Sequence, residues 1–590
     1  MQKLQPIASK QAELRVRRQL VEAMVFEGLI KYEETRLDQW TSILTLVGQK
    51  CTYRCEGTRM AFDRIRIKGD SIFLVGKDET LLKATLEDLV DELLSTVRDK
   101  AQLLKELHLT SKLCEWNDRH LQMPMSRRNS SYEELESEII EGHPYHPCFK
   151  SRTGFTIDDH KHYGPEAKQS FTLQWVAMRR SYVLITVLEE EESFWKRELG
   201  HLMWGDLLAK LAVLDGTYEE YTFLPVHPWQ WLNMKHELAG LIEQKDLIPL
   251  DVEGDYYRAT QSVRTLWNFS NPEKAQLKCS MNMVNTSSLR KLHSHAVCAS
   301  PHISAWLKQV IQLDSYLQKE ASLIVLEEYA GIIFEPNAKK HSRKLEGQLG
   351  SIWRESVRSY MKDDEEAVPF TVLMMMEKDG RPFIDDWLFR YGTEEWVKRL
   401  IEVSVIPVWH LLVAHGIAVE AHAQNMILLH QNGWPTRVVL RDFHDSIEYV
   451  EEFIADRSLV PDFETIHERF KDGPVDCYYW MSSVEALREL VMDTLFVFHL
   501  SELSYLLEEQ YGFAEIRFWS QVRDGIQKHF ERFPSLCSRN KQLQHTSTHI
   551  YVESLLTKKL QNQEEGSFRH IVSNTLAQAD KGGNDDVLCQ

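Results

Sequence analysis

The 590-residue sequence predicts a multidomain α+β protein, and three observations support this fold class. The chain is longer than one hydrophobic core usually organises, so about two to four domains are expected. Apolar residues make up 43% of the sequence, which is enough to fill several cores. Segments with the period of an amphipathic helix alternate with short runs typical of β-strands. We divide the chain into a mainly helical domain over residues 1–135, a second domain over 136–365 and a third over 366–590.

The N-terminal region predicts two helices with a hairpin between them. Residues 11–34 and 83–108 have helical character. In the second segment apolar residues recur at helical spacing, namely Leu86, Leu89, Val90, Leu93, Leu94 and Val97. Between the helices, apolar side chains alternate on both sides of the turn residues 68–70, as in a half-buried hairpin. These side chains are Ile65, Ile67, Ile72 and Leu74.

The remaining segments follow from composition and period. Residues 123–135 are polar and rich in serine, which predicts a surface connection into the second domain. Short strand-like runs alternate with helices up to about residue 350. Residues 394–415 predict a long apolar-rich helix that ends at His415 and Gly416. Beyond about residue 562 the periodicity is lost, so the tail is expected to be loose.

Composition argues against several classes of protein. Lys and Arg total 69 against 88 Asp and Glu, and a net charge of −19 opposes binding of nucleic acid. The basic N-terminus is not followed by an apolar run of signal-peptide length, and no stretch reaches about 18 uninterrupted apolar residues. We therefore expect a cytoplasmic protein without a membrane partner. Nine cysteines without a CxxC pair indicate reduced thiols rather than a disulfide framework.

The common sequence signatures of nucleotide and hydrolase sites are absent. The chain contains no GxxxxGK[ST] loop, no GxGxxG after a strand, no HExxH and no GxSxG. Any nucleotide site must therefore be built from other residues.

Cationic side chains crowd together in EGHPYHPCFKSRTGF, residues 141–155. His143, His146, Lys150 and Arg152 lie here beside prolines that restrict the backbone. We interpret the segment as a polyanion-binding loop. A proline-rich turn with solvated charges is the main alternative, and a metal site at the two histidines is less favoured because the neighbouring cations would repel an ion.

A second cluster combines hydroxyl groups with a guanidinium that suits carboxylate or phosphate. It contains Ser262, Arg264 and Thr265. The next segment, residues 277–283, predicts a strand with Lys278, Ser280 and Asn282 on one face and Cys279, Met281 and Met283 on the other. One face is therefore polar and the other packed.

The residues that follow this strand are typical of a helix start. Because residues 285–288 are good capping residues, Arg290 is expected in the first helical turn, where free N–H groups attract anions. The pattern therefore favours a carboxylate-binding site at Arg290. An amphipathic edge strand followed by an ordinary capped helix explains the same spacing equally well.

A third constellation lies in residues 415–445. Glu420, His422 and Gln424 point one way on an extended run, and Asn425 precedes a buried strand. A hairpin would return Asp442, which ends the next strand, beside Glu420 and Asn425. Carboxylate and amide oxygens are ligands that Mg²⁺ prefers. The alternative is that Asp442 pairs with Arg441 or caps a turn.

Five motifs in order resemble the IucA/IucC family of NRPS-independent siderophore synthetases. They are GHPxHPxxKxRxGF, HPWQ, SxRT, the strand with a lysine before a threonine and an arginine, and EAHxQN followed by RDF. The N-terminal run RVRRQLVEAMVFEGLI is also similar to synthetases of petrobactin-like pathways.

The resemblance implies both a fold and a reaction. The family fold is likened to a hand with thumb, fingers and palm domains, the palm being distantly kinase-like, and ATP lies between fingers and palm. A carboxylate of citrate or a citrate derivative attacks the α-phosphate of ATP, giving an acyl-adenylate and pyrophosphate. An amine of a diamine or polyamine then displaces AMP and forms an amide. The implied partners are these two substrates, and the implied assembly is a homo-oligomer such as a dimer.

The resemblance also assigns roles to individual residues. The implied catalytic residues are Lys278, Arg290 and His422. ATP would contact His146, Lys150, Ser262, Arg264, Thr265, Lys278, Arg290, Gln424 and Asn425. The carboxylate substrate would contact Thr286, Arg290 and His422. Mg²⁺ would be bound by Glu420, Asn425 and Asp442.

Two other functions are compatible with the same residues. A kinase-like small-molecule phosphotransferase would use Asn425 and Asp442 as Mg²⁺ ligands, but the chain lacks an HxD catalytic loop and a Gly-rich flap. A non-catalytic protein could use the same cationic clusters to bind citrate or a ferric chelate.

Overall fold

The computed structural model describes residues 7–38, 40–95, 97, 99–286, 288–336, 343–561 and 568–578. Helices and strands are mixed throughout this part of the chain, which confirms the predicted α+β class. The domain boundaries at 135 and 365 and the kinase-like character of the palm stay predictions.

The N-terminal region consists of an antiparallel sheet packed against helices. Its helices are α1 (Ile7–Phe26), α2 (Leu86–Leu93) and α3 (Lys100–His120). Its strands are β1 (Tyr32–Arg36), β2 (Thr41–Val47), β3 (Thr52–Arg59), β4 (Ile65–Ile67), β5 (Phe73–Val75) and β6 (Leu81–Lys83). The sheet order is β1-β2-β3-β5-β6, and β4 also pairs with β3. This region therefore contains more strand than the predicted, mainly helical domain.

Both predicted N-terminal helices differ from their expected bounds. The first ends at Phe26, because Gly28 takes a left-handed conformation with φ of 65° and the chain then enters β1. The second is divided into α2 and α3. A new helix begins after Asp99, whose carboxylate accepts a hydrogen bond from the backbone N–H of Gln102 at 3.1 Å.

The predicted hairpin around residues 68–70 is wrong, although both of its strands exist. β4 pairs with Gly57–Arg59 and β5 pairs with Thr52–Arg54, so each lies against β3 and not against the other. The alternation of apolar residues identified two strands correctly. It could not reveal that one longer strand pairs with both.

The middle region contains two larger antiparallel sheets and the short antiparallel pair of Val284–Asn285 and Ser288–Leu289. Its helices are α4 (Tyr132–Glu138), α5 (Ile157–Tyr163), α6 (Glu191–Val213), α7 (Pro228–Glu243) and α8 (Ser294–Leu313). Its strands are β7 (Phe171–Thr172), β8 (Gln174–Arg179), β9 (Val183–Val187), β10 (Tyr221–Val226), β11 (Leu247–Leu250), β12 (Tyr256–Ala259), β13 (Thr265–Asn268), β14 (Gln276–Cys279), β15 (Val284–Asn285), β16 (Ser288–Leu289), β17 (Ile324–Val325), β18 (Glu328–Phe334) and β19 (Gly350–Arg354). The larger sheet has the order β7-β12-β13-β14-β19-β18-β9, and the smaller one β10-β8-β11.

The C-terminal region surrounds a smaller sheet with helices. Its helices are α9 (Asp385–Tyr391), α10 (Thr393–His410), α11 (Phe463–Ile466), α12 (Val484–Val491), α13 (Ser501–Tyr511), α14 (Glu515–Arg532), α15 (Cys537–Gln542), α16 (Leu555–Gln561) and α17 (Thr575–Gln578). Its strands are β20 (Glu366–Pro369), β21 (Ile417–Val419), β22 (Met426–Gln431), β23 (Trp434–Leu440), β24 (Ile447–Tyr449), β25 (His549–Glu553) and β26 (Arg569–Ser573). The sheet order is β17-β23-β22-β20, so β17 of the middle region joins it.

Two further C-terminal predictions have different outcomes. The helix over 394–415 is confirmed: α10 continues through a π-helical turn at Leu411–His415 and stops at Gly416, where φ is 75°. The prediction of a loose tail is wrong for residues 569–578, because β26 pairs with β25 along its whole length and is followed by the short helix α17. Residues 562–567 and 579–590 lie outside the described residues.

The segment 123–135 is not a simple surface connection. Arg127 is buried, and its guanidinium forms ion pairs with Glu141 and Glu377 at 2.8 and 2.9 Å. Ser131 then caps α4 in a reciprocal capping box with Glu134. Composition alone did not reveal that distant carboxylates neutralise this arginine.

One apolar core joins the predicted first and third domains. The ring of Phe26 lies 6.4 Å from that of Phe498, and the ring of Phe62 lies 4.8 Å from that of Trp519. Glu502 on α13 forms ion pairs with Arg64 and Arg66 of the N-terminal region. The two ends of the chain are therefore held together by apolar contacts and by buried charge.

Replacing Glu502 with glutamine should destabilise the protein at neutral pH and have less effect in acid. Burial alone would raise the pKa of Glu502, but Arg66 and Arg64 lower it to about 2. Because this pKa lies below the ordinary 4.5, the carboxylate stabilises the fold above about pH 4.5, and its contribution is lost as the pH falls toward 2. We expect the free energy of unfolding in urea at pH 7 to fall by about 3 kcal/mol.

The matched control for this prediction is Glu509→Gln, on the exposed side of the same helix. It should change the free energy of unfolding by less than about 0.5 kcal/mol. A loss in Glu502→Gln that is the same at pH 5 and pH 3 would contradict the assigned ion pairs.

One helical run, Val484–Tyr511, is long and apolar enough to cross a membrane by length and composition. Of its most apolar 18-residue window, 83% is buried inside the protein, and Leu495 and Phe496 belong to the shared core. This burial is typical of a core helix.

Candidate active site

The larger middle sheet carries a row of polar side chains on one face. Lys278 on β14 pairs with Thr265 on β13, and Gln276, two residues before Lys278, pairs with Arg354 on β19. Glu328 at the start of β18 pairs with Arg354 in turn. Since residues in register and residues two apart share a face, these five side chains form one polar surface.

Asp442 reaches this surface from the C-terminal sheet. Strands β22 and β23 form the predicted hairpin, in which Met426 pairs with Leu440 and the Arg441 N–H donates to the Asn425 carbonyl at 3.0 Å. Asp442 follows at a left-handed φ of 67°. The hairpin prediction for residues 426–440 is thus confirmed.

Asp442 pairs with two cations of the middle sheet. Its Oδ1 lies 2.7 Å from Lys278 Nζ and 2.7 Å from Arg354 Nη1. The alternative pairing with Arg441 does not occur, because that guanidinium lies 2.7 Å from Glu136 instead. Burial alone would raise the pKa of Asp442, but Arg354 and Lys278 hold it well below its ordinary value. Asp442 is therefore ionised.

His444 extends this charged centre. Its Nδ1 lies 3.1 Å from Glu328 Oε1, and its Nε2 lies 3.1 Å from Asp445 Oδ2. Burial and Lys278 lower the pKa of His444, but Asp445 and Glu328 outweigh them and raise it to about 9. The imidazole is consequently a cation between two carboxylates.

Sequence reasoning missed Glu328 and Arg354, which are both almost completely buried. Each is a charged residue at the end of an otherwise apolar strand, in LEEYAGIIF and GSIWRES. Charged residues in such positions are rarely buried unless they are paired, so both residues could have been predicted to form buried ion pairs.

The second predicted cluster, around Arg264, lies close to the segment that contains Arg290. Ser262 Oγ accepts a hydrogen bond from the Thr265 N–H at 3.1 Å, which closes a tight turn. Arg264 Nη1 donates to the carbonyl oxygens of Arg290 and Lys291 at 3.1 and 2.9 Å. Burial lowers the pKa of Arg264, although nearby carboxylates oppose this. The structure therefore brings the segments around 264 and 290 together, as one site would require.

The helix start predicted at Arg290 is wrong. β15 and β16 form a two-stranded hairpin with Thr286 at a left-handed φ of 64°, and α8 begins only at Ser294. Arg290 Nη2 donates to the Asn285 carbonyl at 2.8 Å. Burial, followed by the charge of Arg264, lowers the pKa of Arg290 to about 10. An anion here would be attracted by these guanidinium groups and not by a helix terminus.

The predicted strand over 277–283 is also shorter than expected. Regular β14 ends at Cys279. Lys278 and Ser280 are buried, but Asn282 is exposed, so the expected polar face does not continue past residue 280. Met281 and Met283 are buried in a small apolar cluster with Trp229, as the packed face required.

The cationic loop at 141–155 is neutralised from within the protein. Lys150 and Arg152 both pair with Glu166, and all three side chains are buried. Their charges are therefore paired within the protein, as that of Lys278 is with Asp442. The contact of Lys150 with ATP stays a prediction.

The buried ring of His146 uses one of its two nitrogens for a hydrogen bond within the protein. Its Nδ1 accepts a hydrogen bond from the Cys148 N–H at 3.1 Å, and burial holds its pKa well below the ordinary value. Its buried Nε2 makes no hydrogen bond to any residue that the structure describes. Among the described residues, His143 and His146 do not belong to a metal-ligating cluster of three.

The predicted Mg²⁺ ligands fit a hard cation by donor type. Glu420 Oε2 accepts a hydrogen bond from Ser446 Oγ at 2.5 Å, and Asn425 Nδ2 donates to the Glu420 carbonyl at 3.0 Å. The contacts of Lys278 and Arg354 with Asp442 both fall on Oδ1. Carboxylate and amide oxygens such as these are the ligand type that Mg²⁺ takes.

His422 and Gln424 lie on the loop between Glu420 and Asn425. His422 Nδ1 accepts a hydrogen bond from the Gln424 N–H at 3.1 Å, and its Nε2 lies 3.8 Å from Glu420 Oε1. The side chain of His422 is 32% exposed, so it can contact a bound substrate.

Comparison with known proteins is consistent with this geometry. Residues 131–375 match the IucA / IucC family, and residues 394–567 match a family described as ferric iron reductase FhuF-like transporter. The chain is 36% identical to a citryl-spermidine/3,4-dihydroxybenzoyl-citryl-spermidine:spermidine ligase of Bacillus anthracis, over 96% of this chain and 93% of that one. It is 30% identical to 2-[(L-alanin-3-ylcarbamoyl)methyl]-3-(2-aminoethylcarbamoyl)-2-hydroxypropanoate synthase of Staphylococcus aureus, over 95% and 92% of the two chains.

The same similarity extends to three dimensions. The fold matches the crystal structure of the petrobactin biosynthesis protein AsbB from Bacillus anthracis with a TM-score of 0.91 and 35% identity. The match covers 97% of this chain and 96% of that one. With the motifs in order and nearly the whole chain aligned, this protein belongs to the IucA/IucC family.

Proposed function

We propose that this protein is an ATP-dependent ligase of siderophore biosynthesis that adenylates a carboxylate of citrate or a citrate derivative and joins it to an amine. The observation that carries the proposal is the buried centre of Lys278, Arg354 and Asp442, with Arg264 and Arg290 nearby. Such a concentration of cations at one carboxylate suits a nucleotide polyphosphate and the charge that develops during its cleavage. The similarity to amide-forming relatives supports the same reaction class.

The proposed chemistry needs alignment and charge neutralisation more than a strong base. A carboxylate oxygen of the acid attacks the α-phosphorus, and the bond to pyrophosphate breaks. The amine nitrogen then attacks the acyl carbon, AMP leaves, and the amine proton passes to solvent. Lys278 and Arg290 would stabilise the charge on phosphorus, and Thr286, Arg290 and His422 would hold the carboxylate.

Mg²⁺, when bound, would neutralise phosphate charge, with Glu420, Asn425 and Asp442 as its ligands. ATP would further contact His146, Lys150, Ser262, Arg264, Thr265, Gln424 and Asn425. These assignments follow the family resemblance, and the described contacts of Arg264 and Asp442 support them.

The amine is expected to be a diamine or polyamine, because one relative is named for ligation of spermidine to a citryl group. We expect the protein to act in the cytoplasm as a homo-oligomer such as a dimer, without nucleic acid or membrane. Light scattering on the purified chain tests the assembly.

Nucleotide product analysis tests the proposed reaction. The protein is incubated with Mg²⁺, ATP, a panel of citrate, 2-oxoglutarate and citrate monoamides, and a mixture of diamines and polyamines. We expect AMP and pyrophosphate to form only with one acid and one amine. ADP with a phosphorylated product would favour the kinase-like alternative. ATP or citrate binding without turnover for any pair would favour a binding protein.

Replacing His422 with alanine should impair use of the carboxylate more than use of ATP. The imidazole is one-third exposed, and loss of its hydrogen bond to the charged acid costs about 1.5 kcal/mol, which corresponds to roughly tenfold in the KM for the acid. The KM for ATP should stay within about twofold. His201→Ala, at an exposed position on α6, is the matched control. Equal increases in both KM values would contradict the role of His422.

A further inference from the structure

A cluster of three histidines and one aspartate lies outside the proposed active site. Asp314 follows α8, His410 ends α10, His415 ends the π-helical turn after it, and His529 lies on α14. Asp314 Oδ2 is 3.1 Å from His410 Nε2 and 2.9 Å from His415 Nε2. Each of these three residues offers a ligand atom within 4.8 Å of the others.

The contacts of Asp314 Oδ1 and His410 Nδ1 orient the ligand atoms of these two residues toward the same point as that of His415. Asp314 Oδ1 accepts a hydrogen bond from the Leu317 N–H at 2.8 Å, which orients Oδ2 toward the histidines. His410 Nδ1 lies 2.7 Å from His529 Nε2. Both Nε2 atoms lie at hydrogen-bond distance from Asp314 Oδ2, so a bound ion would displace the protons between them. With the ion bound, a proton on His410 Nδ1, donated to His529, would leave the Nε2 lone pair to the metal. Metal-binding histidines almost always donate their second ring N–H in this way.

The spacing also suits one small ion. Zinc binds histidine nitrogen and carboxylate oxygen at about 2.0 to 2.2 Å, so neighbouring ligand atoms lie roughly 3 to 3.5 Å apart. The observed separations of 2.9 and 3.1 Å are close to this range. Two imidazoles with one carboxylate favour a first-row transition cation over Mg²⁺, which prefers oxygen ligands.

We propose that Asp314, His410 and His415 form a binding site for a divalent transition-metal ion such as Zn²⁺, with His529 as the residue that orients His410. The side chain of His410 is 2% exposed, whereas those of Asp314 and His415 are 14% and 21% exposed, so an ion can enter from their side. The fourth position is left to solvent.

The location of this metal site suggests a structural role. The ion would join the C-terminal end of α8, whose N-terminal end follows the Arg290 segment, to the start of β21, which leads into Glu420. It would thus connect two segments that carry proposed active-site residues without contacting the reaction itself. We expect metal binding to raise the thermal unfolding midpoint.

Zinc titration of the chelator-treated, full-length protein tests the site. Calorimetry is run in saturating Mg²⁺, which occupies oxygen-ligand sites, with Zn²⁺ as the probe. The wild type should bind one Zn²⁺, and Asp314→Asn and His415→Ala should each bind it at least about 100-fold more weakly. His236→Ala removes an exposed histidine on α7 and should bind like the wild type. Equal affinity in all four proteins, or no binding to the wild type at micromolar Zn²⁺, would overturn the proposal.

Two additional measurements keep the test decisive if a variant is poorly folded. His529→Gln leaves all three ligands in place and should weaken Zn²⁺ binding by about 10- to 100-fold. X-ray absorption of the wild-type protein loaded with one Zn²⁺ should show two imidazoles in the first coordination shell. A shell without imidazole would place the ion elsewhere and reject the site.

Discussion

Lys278→Ala should reduce the rate of ATP-dependent adenylation at least about 100-fold, because it removes a preorganised cation from the phosphate-binding centre. Lys278 Nζ lies 2.7 Å from Asp442 Oδ1, and only 9% of its side chain is exposed. A group held this firmly needs no rearrangement when charge develops on phosphorus. ATP-pyrophosphate exchange with the preferred acid measures the first step directly.

Lys274→Ala is the matched control for this experiment. Lys274 precedes the same strand, and its Nζ also lies 2.7 Å from a carboxylate, that of Asp255. The two side chains of that pair are 34% and 30% exposed, so its contribution is screened by solvent. The control should retain its exchange rate within about twofold. A Lys278→Ala protein with near-normal exchange would remove Lys278 from the catalytic residues.

Asp442→Asn should impair both the reaction and the stability of the protein. The substitution leaves Lys278 and Arg354 buried without their common anion. Breaking a buried ion pair by removing one partner typically costs about 3 to 5 kcal/mol in the free energy of unfolding. Loss of an Mg²⁺ ligand should at the same time lower the exchange rate at least about 100-fold and raise the Mg²⁺ concentration needed for half-maximal rate.

Asp255→Asn provides the control, and it also allows two double-mutant cycles to be compared. The coupling between residues 278 and 442 should be about 1 to 3 kcal/mol, whereas the partly exposed pair of residues 274 and 255 should give about 0.2 to 1 kcal/mol. If Asp442→Asn loses stability but its rate depends on Mg²⁺ as in the wild type, Asp442 stabilises the fold and is not a Mg²⁺ ligand. Equal coupling in the two cycles would contradict the buried character of the centre.

The motifs of the chain predicted the family, and local pattern predicted the elements that depend on neighbouring residues. The hairpin of β22 and β23 was predictable because both strands and their turn are contiguous, and the helix ending at Gly416 because its stop signal is local. The place of Asp442 at the end of β23 follows from the same hairpin.

Local pattern misplaced the elements around Arg290. Residues 285–288 have the composition of a helix cap, but Asn285 pairs with Ser288 across two antiparallel strands, and Thr286 takes a left-handed conformation. Similarly, the apolar alternation in β4 and β5 did not reveal that both pair with β3. Several conformations satisfy the same short pattern, and tertiary contacts select among them.

The sequence by itself determined the α+β class, the family and the residue types available to the site. Only the tertiary structure decided which charges meet: Lys150 pairs with Glu166, whereas Lys278 and Arg354 share Asp442. The physical reason is that a buried charge must find a partner, and that partner can lie on any strand brought alongside by the fold. Residues 278 and 442 are far apart in the chain, so no local pattern contains their ion pair.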